Sequence, residues 1–537
     1  MTIKKTPAGT VAVLGNGPVG QTTALLLARW GIRVILLDAR AERDPVGSKA
    51  ICQQRDVLDV WDAVGVGRQL AEEGVTWECA RTFHRGAELF AQTFVDRGRS
   101  AFPPFVNISQ ARTEQLLDEQ IGATPLVDVR WGHCVSAVEQ DGDGVTIACE
   151  TPDGPAVVRA DYSVVALGSR AGRIREQLGV TFEGRSFDDK FLICDIRADI
   201  PGWANERRFY FDPDWNPGRQ VLIHPCPDST FRIDWQVPGE YDLDDEVASG
   251  ALDTRIRRII GDTEYSIVWK SVYRFHSRVA SRMRVGRVLL AGDAAHIVSP
   301  FGARGLNSGV ADAENVAWKL AFVIHGWADE ELLESYHGER HAAALENIAI
   351  TTATMDFLVP QDESRSRRRR TILEAAVGDV RARALVDSGR LAEPFWYVDS
   401  TLTTTDPLRP FAGRPARGCV PDAGPGILIP DVPVQMPDRS AVRVREVARS
   451  GFLLLCGSAV DVTAVSEVAA DATTAPTRIH DIESVDGDGA LTLALSPGPK
   501  EVWLIRPDAY VAAVVDGPDA AGLRSAIRRA TGRTSGV

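Results

Sequence analysis

A chain of 537 residues, 44% hydrophobic and 25% charged, has the composition of ordinary globular protein and exceeds what one core organises, so two or three domains are expected. Its formal net charge of −13 argues against a nucleic-acid partner, because such binding depends on excess Lys and Arg to neutralise phosphates. The eight cysteines form no CxxC pair and have no clustered histidines, which points away from a metal site or a disulfide framework and fits a reducing compartment.

The first residues, MTIKKTPAGT, run straight into an apolar strand without the pattern of a signal peptide, and no stretch approaches the length of a membrane-spanning helix. A cytoplasmic protein with no membrane partner is the expectation. Next come VAVLG, GNGPVG and QTTALLLARW, which read as strand, tight turn and helix, with Pro18 near the helix start and Gly31 just past its end. A second apolar strand, RVILLD, ends on Asp38 and completes a right-handed βαβ unit. Gly15, Gly17 and Gly20 form GxGxxG in that context. The first glycine permits the turn, the second lets a pyrophosphate approach the backbone, and the third lets helix pack on strand. Pro18 and Val19 lie in the same turn. Asp38, followed by Ala39 and Arg40, stands where a carboxylate accepts hydrogen bonds from a ribose.

Further on, alternating segments with Asp-Gly turns predict a β-meander that leads back to a buried strand, DYSVVALG. From Phe191 to Val272, FLICDIRA, RQVLIHPC, FRIDWQV and YSIVWKSVY read as strands of a separate sheet. GRVLLAGDAAH reads as strand and turn, VADAENVAWKLAFVIHG as an amphipathic helix, and residues 331–385 as mostly helical. A Pro- and Gly-rich stretch then precedes a last segment with strands FLLLC, TLALS, EVWLI and YVAAVV. The basic run SRSRRRR, residues 364–370, reads as a solvated helix end or loop.

GRVLLAGDAAHIVSPFGARGLNSGVADAENVAWKL resembles the second flavin motif of class A FAD-dependent aromatic hydroxylases, the group typified by para-hydroxybenzoate hydroxylase. The resemblance implies that Gly292 and Asp293 hold the ribityl side of FAD, that Pro300 lies beside the reactive face of the flavin, and that Gly305, Leu306 and Asn307 offer backbone N–H groups to its pyrimidine edge. His296 is expected to be structural. SKAICQQRDVLDVWDAVGVG and ISQARTEQLLDEQI resemble the segments that place Lys49 on the FAD phosphates and Gln110 on the flavin, with Arg112 a weaker candidate or a surface ion pair. Two positions depart from the family. Leu167 replaces an acid that normally precedes a glycine, here Gly168, and a nearby arginine, here Arg170 or Arg175. Ala303 and Arg304 stand where Gly-Gln is common, so Arg304 is expected either to face an anionic ligand or to lie in solvent. The chain beyond Arg414 resembles the C-terminal thioredoxin-like appendage of the longer members, around Arg506, Pro507 and Asp508. Lacking CxxC, it is expected to serve structure or oligomerisation, with a homodimer as the assembly considered.

The expected architecture is α/β: a Rossmann-like FAD-binding domain of the GR2 type in residues 1–185 and 273–345, an inserted β-sheet substrate domain in 186–272 with extra strands near 75–105, a helical region in 346–405, and the thioredoxin-like domain in 406–537. The implied activity is FAD-dependent monooxygenation of an aromatic, phenolic small molecule, using NADH or NADPH and O₂ through a flavin C4a-hydroperoxide. Tyr210, His224, Asp234, Trp235 and Tyr273 are the substrate-wall candidates, and no acid or base is assigned. Alternatives are Baeyer–Villiger or epoxide-forming oxygenation of a polyketide-like substrate, and an FAD-binding protein without oxygenase activity, for which Leu167 is the motive.

Overall fold

The computed structural model describes residues 9–43, 50–93, 100–416, 419–436 and 441–533. At its centre the strand Thr10–Leu14 pairs in parallel with Arg33–Leu37 on one side and Tyr162–Val165 on the other. Such apolar parallel strands require cover on both faces, which helices supply. Val127–Arg130 and Val288–Leu290 extend the parallel sheet, and Arg284–Val285 closes one edge antiparallel. The helix Pro18–Arg29 packs against the sheet and against a second helix, Gly305–Ile324. The meander Cys134–Gln140, Val145–Thr151 and Gly154–Ala160 forms a three-stranded antiparallel sheet, its first turn closed by Asp141, which accepts from the Asp143 and Gly144 amides.

A further sheet, the one expected to carry the substrate, has eight strands in the order His296–Ile297, Tyr265–Ala280, Phe182–Ala198, Thr230–Val237, Gln220–Cys226, Glu206–Phe211, Cys79–His84 and Ala87–Thr93. It begins before residue 186 and ends after residue 272. The reason is that Phe182–Ala198 and Tyr265–Ala280 stay paired along almost their whole length, across two register shifts. Alternation along these strands divides the sheet into two faces. On the back, Leu192, Cys194, Val221, Ile223, Ile233 and Trp235 pack against Leu252, Ile256 and Ile260 of the helix Ala251–Ile260. On the front, Phe191, Phe209, Phe211 and Leu222 meet Phe301, Met355 and Leu358.

Helices Glu334–Leu358, Glu363–Ala376 and Val380–Arg383 follow. The expected helical region of residues 346–405 therefore ends at Arg383, and residues 384–405 contain no helix or strand. The basic run lies on Glu363–Ala376, whose N-cap Asp362 accepts from the Arg365 amide. Arg369 alone in that run turns inward, over the Phe211 ring, while its neighbours are half-exposed or exposed.

The last domain contains a mixed sheet ordered Thr477–Asp481, Phe452–Cys456, Glu501–Ile505 and Val511–Asp516, with the first pair parallel and the others antiparallel. Helices Val462–Ala472 and Ala520–Ala530 pack together beside it. One expected strand is a helix: TLALS falls within and just beyond Ala490–Leu495. Asp486 and Asp488 accept from the Ala490, Leu491 and Thr492 amides, and this local capping stabilises the first helical turn.

Candidate active site

The three glycines of the first motif have different physical roles. Gly15 has φ +109°, and a methyl group there would stand 2.3 Å from the Ala166 carbonyl oxygen. A methyl on Gly20 would stand 1.8 Å from the Gly15 carbonyl oxygen, so helix and strand could not approach. At Gly17 a methyl would meet nothing within 4 Å. No side chain caps the helix that follows, which leaves its first N–H groups and its positive dipole end facing that open space. This is an anion seat. Asp38 is buried, and its two oxygens already take four N–H donors: Asn16 N at 2.9 Å, Arg40 N at 2.9 Å, and the Arg40 side chain twice at 3.0 Å. Burial would raise its pKa, yet these bonds, those of Arg40 foremost, hold it below the usual carboxylate value.

The second motif meets the first through Val19, whose side chain fills the space beside Gly292 and Gly309. Gly292 has φ +59° and opens a short turn, Gly292–Ala294, that leaves Asp293 exposed. Ala291 occupies the turn's N-cap position, so Asp293 is not a helix cap. Two groups fix the turn from behind. The fully buried Asp312 accepts from Gly292 N at 2.9 Å and lies 2.7 Å from both His296 Nε2 and Arg340 Nε. Arg175, stacked 3.8 Å over Phe182, donates to the Ala294 carbonyl at 3.0 Å. His296 thus belongs to the support of the turn.

The loop from Pro300 to Arg304 leads into the helix Gly305–Ile324, again without a side-chain cap, so the N–H groups of Gly305, Leu306 and Asn307 lack intrahelical acceptors. The Asn307 side chain is committed elsewhere: it accepts from Gln54 N and donates to the Cys52 carbonyl, both at 3.0 Å. Pro300 is exposed. Ala303 adopts φ +56°, a left-handed conformation that a glycine would take without strain. Arg304 is buried rather than solvent-facing, and it lines a cavity together with Asn307, Ser308 and Asn347. It donates to the Arg390 and Leu391 carbonyls and to Asn347, and burial lowers its pKa to about 10. The side chain is a strut that ties the loop to residues 390–391, which sequence spacing does not reveal.

Leu167 packs at the margin of the main core and precedes the turn Gly168–Ala171, while Arg170 is exposed. Gln110 accepts from the Ala50 amide and donates to Glu114. Arg112 forms a two-pronged ion pair with Glu73, at 2.6 and 2.8 Å. Lys49 lies outside the described residues.

Of the five wall candidates, two lie on the back face of the sheet. Tyr210 and Trp235 pack in the back cluster, Tyr210 stacked on Phe83, because they pair across the sheet with Val221 rather than with Leu222. Tyr273 pairs with Phe191, Asp234 with Leu222, and His224 with Arg232, which places all three on the front. His224 Nε2 and Asp234 Oδ2 are 3.9 Å apart. Burial raises Asp234 to about 7, and burial with Arg207 and Arg232 keeps His224 well below its ordinary value. Arg207, in phase with Phe209, joins them there. A charge placed in step with Phe209 and Phe211 in ERRFYF was the sequence signal for it.

The two motifs, joined through Val19, present two uncapped helix N-termini and an exposed Asp293 around open backbone, an arrangement that fits a dinucleotide carrying an anionic pyrophosphate and a ring needing N–H donors. The chain belongs to the FAD-binding family of flavoprotein monooxygenases. Residues 9–351 match the family model described as FAD binding domain, and residues 422–534 match that of the aromatic-ring hydroxylase C-terminal domain. It is 30% identical over 368 residues to para-nitrophenol 4-monooxygenase of a Pseudomonas species, covering 67% of this chain and 89% of that one. It is 25% identical to the 3-(3-hydroxy-phenyl)propionate/3-hydroxycinnamic acid hydroxylase of Mycolicibacterium smegmatis, across 94% of this chain and 90% of the other. The flavin-dependent monooxygenase PieE, solved with FAD and substrate, shares the fold with a TM-score of 0.85 over 98% of this chain and 100% of its own, at 23% identity. The protein is thus an FAD-dependent enzyme of the aromatic hydroxylase kind.

Proposed function

We propose that this enzyme hydroxylates a phenolic small molecule, consuming NADH or NADPH and O₂. The observation that supports this most is the continuity between the front wall and the flavin loop. Phe301, the residue after Pro300, lies with its ring centroid 5.3 Å from that of Phe191, 6.0 Å from Phe275 and 6.3 Å from Phe209. A buried aromatic cluster therefore adjoins the loop expected to border the flavin, and a planar ring that enters beside it packs well against aromatic side chains. The relatives named for a nitrophenol and a hydroxyphenyl acid favour a phenol as the ring.

When bound, FAD supplies the redox chemistry that takes electrons from the nicotinamide and passes one oxygen atom from O₂ to the ring. The chain's residues bind, orient and exclude water. The N–H groups of Gly305, Leu306 and Asn307, at a positive helix end, stabilise negative charge on whatever faces them. The phenylalanines remove water and hold the ring flat. Asp38 and the Gly17 turn are the groups suited to the ribose and phosphates. Leu167 cannot accept a hydrogen bond and Arg175 is committed behind the Gly292 turn, so of the neighbouring groups Gly168 and the exposed Arg170 are left for the approach of NAD(P)H.

The test is a screen of phenols and aromatic acids for stimulated NAD(P)H consumption with a matching product formed under labelled O₂. A ring hydroxyl carrying the label is expected. A labelled lactone or epoxide would instead support the polyketide-type oxygenation. Anaerobic reduction of the wild type beside Leu167→Asp decides the remaining reading: a wild type that no nicotinamide reduces, with a variant that is reduced, would make the natural chain an FAD-binding protein without oxygenase activity.

A further inference from the structure

Arg304 carries a charge that its bonds as a strut leave uncompensated. It is 2% exposed, and the three acceptors it reaches, the Arg390 and Leu391 carbonyls and Asn347 Oδ1, are all neutral. The carboxylates that act on it from a distance, Glu393 and Glu346, are held by other arginines: Glu393 by Arg390 and Arg414, Glu346 by Arg414. Among the described residues Arg304 itself forms no ion pair. Three guanidinium groups therefore share two carboxylates, and the cluster is one negative charge short at its most deeply buried member. A buried cation without a counter-charge is costly to the fold.

The structure has room for the missing charge. Arg304, Asn347, Glu346 and Glu393 line a cavity of about 640 Å³, counting the part open to solvent, between the flavin-motif helix Gly305–Ile324, the helix Glu334–Leu358 and the last domain. Val57, Val60, Phe395 and Leu428 give it an apolar side. The other charges that line it are already paired, Glu314 with Arg449, Asp56 with Arg445 and Arg340 with Asp312. Arg304 is thus the one lining arginine without a carboxylate partner among the described residues. The aromatic cluster of Phe191, Phe209 and Phe301 contributes nothing to these walls, so the cavity is separate from the place where a ring would meet the flavin.

We propose that this cavity is a second ligand site, which binds a small organic monocarboxylate with its anion on Arg304 and its apolar body against Phe395 and Leu428. Arg304 has N–H donors left beyond the three bonds it makes, and a carboxylate accepts such donors strongly. An apolar wall with one charged anchor, placed where domains meet, is the usual build of a small-molecule pocket. The ligand touches both the flavin-motif helix and the last domain, so its binding adds to what holds the two together. The site is independent of which ring the enzyme hydroxylates, and no bond is made or broken there.

The test measures binding to the FAD-loaded enzyme at pH 7, with aliphatic probes that carry no ring for the aromatic wall. Butyrate is compared with butyramide and with chloride by calorimetry. One butyrate per chain is expected, held about tenfold or more tighter than either of the others, and it should raise the melting temperature because it binds only the folded state. Asn347→Asp supplies the missing charge from within, since Asn347 Oδ1 already accepts from Arg304 at 2.7 Å. That variant should fold, melt higher than the ligand-free wild type and lose the butyrate site. Ala311→Phe fills the cavity from the flavin-motif helix, leaves Arg304 in place and should lose butyrate as well. A wild type that does not bind butyrate or binds butyramide equally, chloride that binds as tightly as butyrate, or an Asn347→Asp protein that fails to fold or still takes up butyrate would each overturn the proposal.

Discussion

Arg506 of the last domain and Glu339 of the helix Glu334–Leu358 are joined by two buried hydrogen bonds, and Lys319 lies 2.6 Å from the same carboxylate. Asp508 accepts from Arg506 and from the Trp318 indole, so the flavin-motif helix and the last domain share one ionic cluster. From there the chain of contacts runs through Tyr397 and Arg340 to Asp312 and the Gly292 turn. The last domain, which has no thiol pair, is built into the support of the cofactor turn.

Glu339→Gln should therefore destabilise the protein by roughly 3–5 kcal/mol at neutral pH, the cost of leaving buried cations uncompensated. Burial would raise the Glu339 pKa, but Arg506 and Lys319 hold it well below the usual carboxylate range. A depressed carboxylate contributes its stability above the unfolded-state pKa and loses it as pH falls through the folded one. The difference between wild type and variant, followed by thermal unfolding, should shrink as pH falls below about 4.5. A difference that stays constant down to pH 3 would mean that the charge is not what stabilises the contact.

Gly17→Ala and Gly20→Ala separate cofactor binding from folding. The first has room in the protein and should fold normally while losing FAD affinity, because its methyl enters the space meant for pyrophosphate. The second collides with the Gly15 carbonyl and should lower the melting temperature of the apoprotein. Apoprotein melting curves and FAD titrations, done side by side, check both, and a Gly17→Ala protein with normal FAD affinity would remove the pyrophosphate from that turn.

Asp312→Asn should weaken FAD retention as well as the fold, because the buried Arg340 loses its carboxylate partner. The substitution removes the charge that holds His296 and Arg340 and loosens the Gly292 amide, a loss of about 1–3 kcal/mol, or roughly tenfold to a hundredfold in affinity. Asp293→Ala should lose a comparable hydrogen bond directly to the cofactor. Flavin fluorescence on dilution reads both, and an unchanged affinity in either variant counts against its assigned role.

Arg304→Gln tests the strut. The variant should lose roughly 1–3 kcal/mol of stability, since the part-buried Arg390 and Leu391 carbonyls lose donors. The ratio of NADH to NADPH use should not move. A shift in that ratio with stability intact would return Arg304 to the ligand site.

Asp234 gives an opposite pH signature to Glu339. Burial raises its carboxyl to about 7, so the folded state holds its proton while the unfolded chain releases it. Stability from this group is complete below the unfolded value of 3.8 and falls as pH rises to about 7. Asp234→Asn should accordingly stabilise the ligand-free protein by roughly 2–4 kcal/mol at pH 8 and little at pH 4. An equal effect at both pH values would mean that the carboxyl titrates normally.

The cofactor elements were legible in the chain because their signals are local. GxGxxG, the strand before it, the helix after it and Asp38 lie within a short stretch, and the turn demands glycine for reasons of backbone geometry alone. The second motif was equally readable as a contiguous string, and alternation identified most strands of the substrate-side sheet. Three matters were not local. TLALS has the apolar pattern of a strand, but amide capping by Asp486 and Asp488 makes it part of a helix. Arg304 looks like a loop cation until residues 390–391, far along the chain, close over it. Tyr210 and Trp235 were separated from His224, Asp234 and Tyr273 by pairing register, which sets the face each side chain takes and depends on which strands become neighbours. For the same reason Arg207, whose step with Phe209 and Phe211 in ERRFYF is legible in the chain, becomes a buried cation only once its strand lies between Cys79–His84 and Gln220–Cys226.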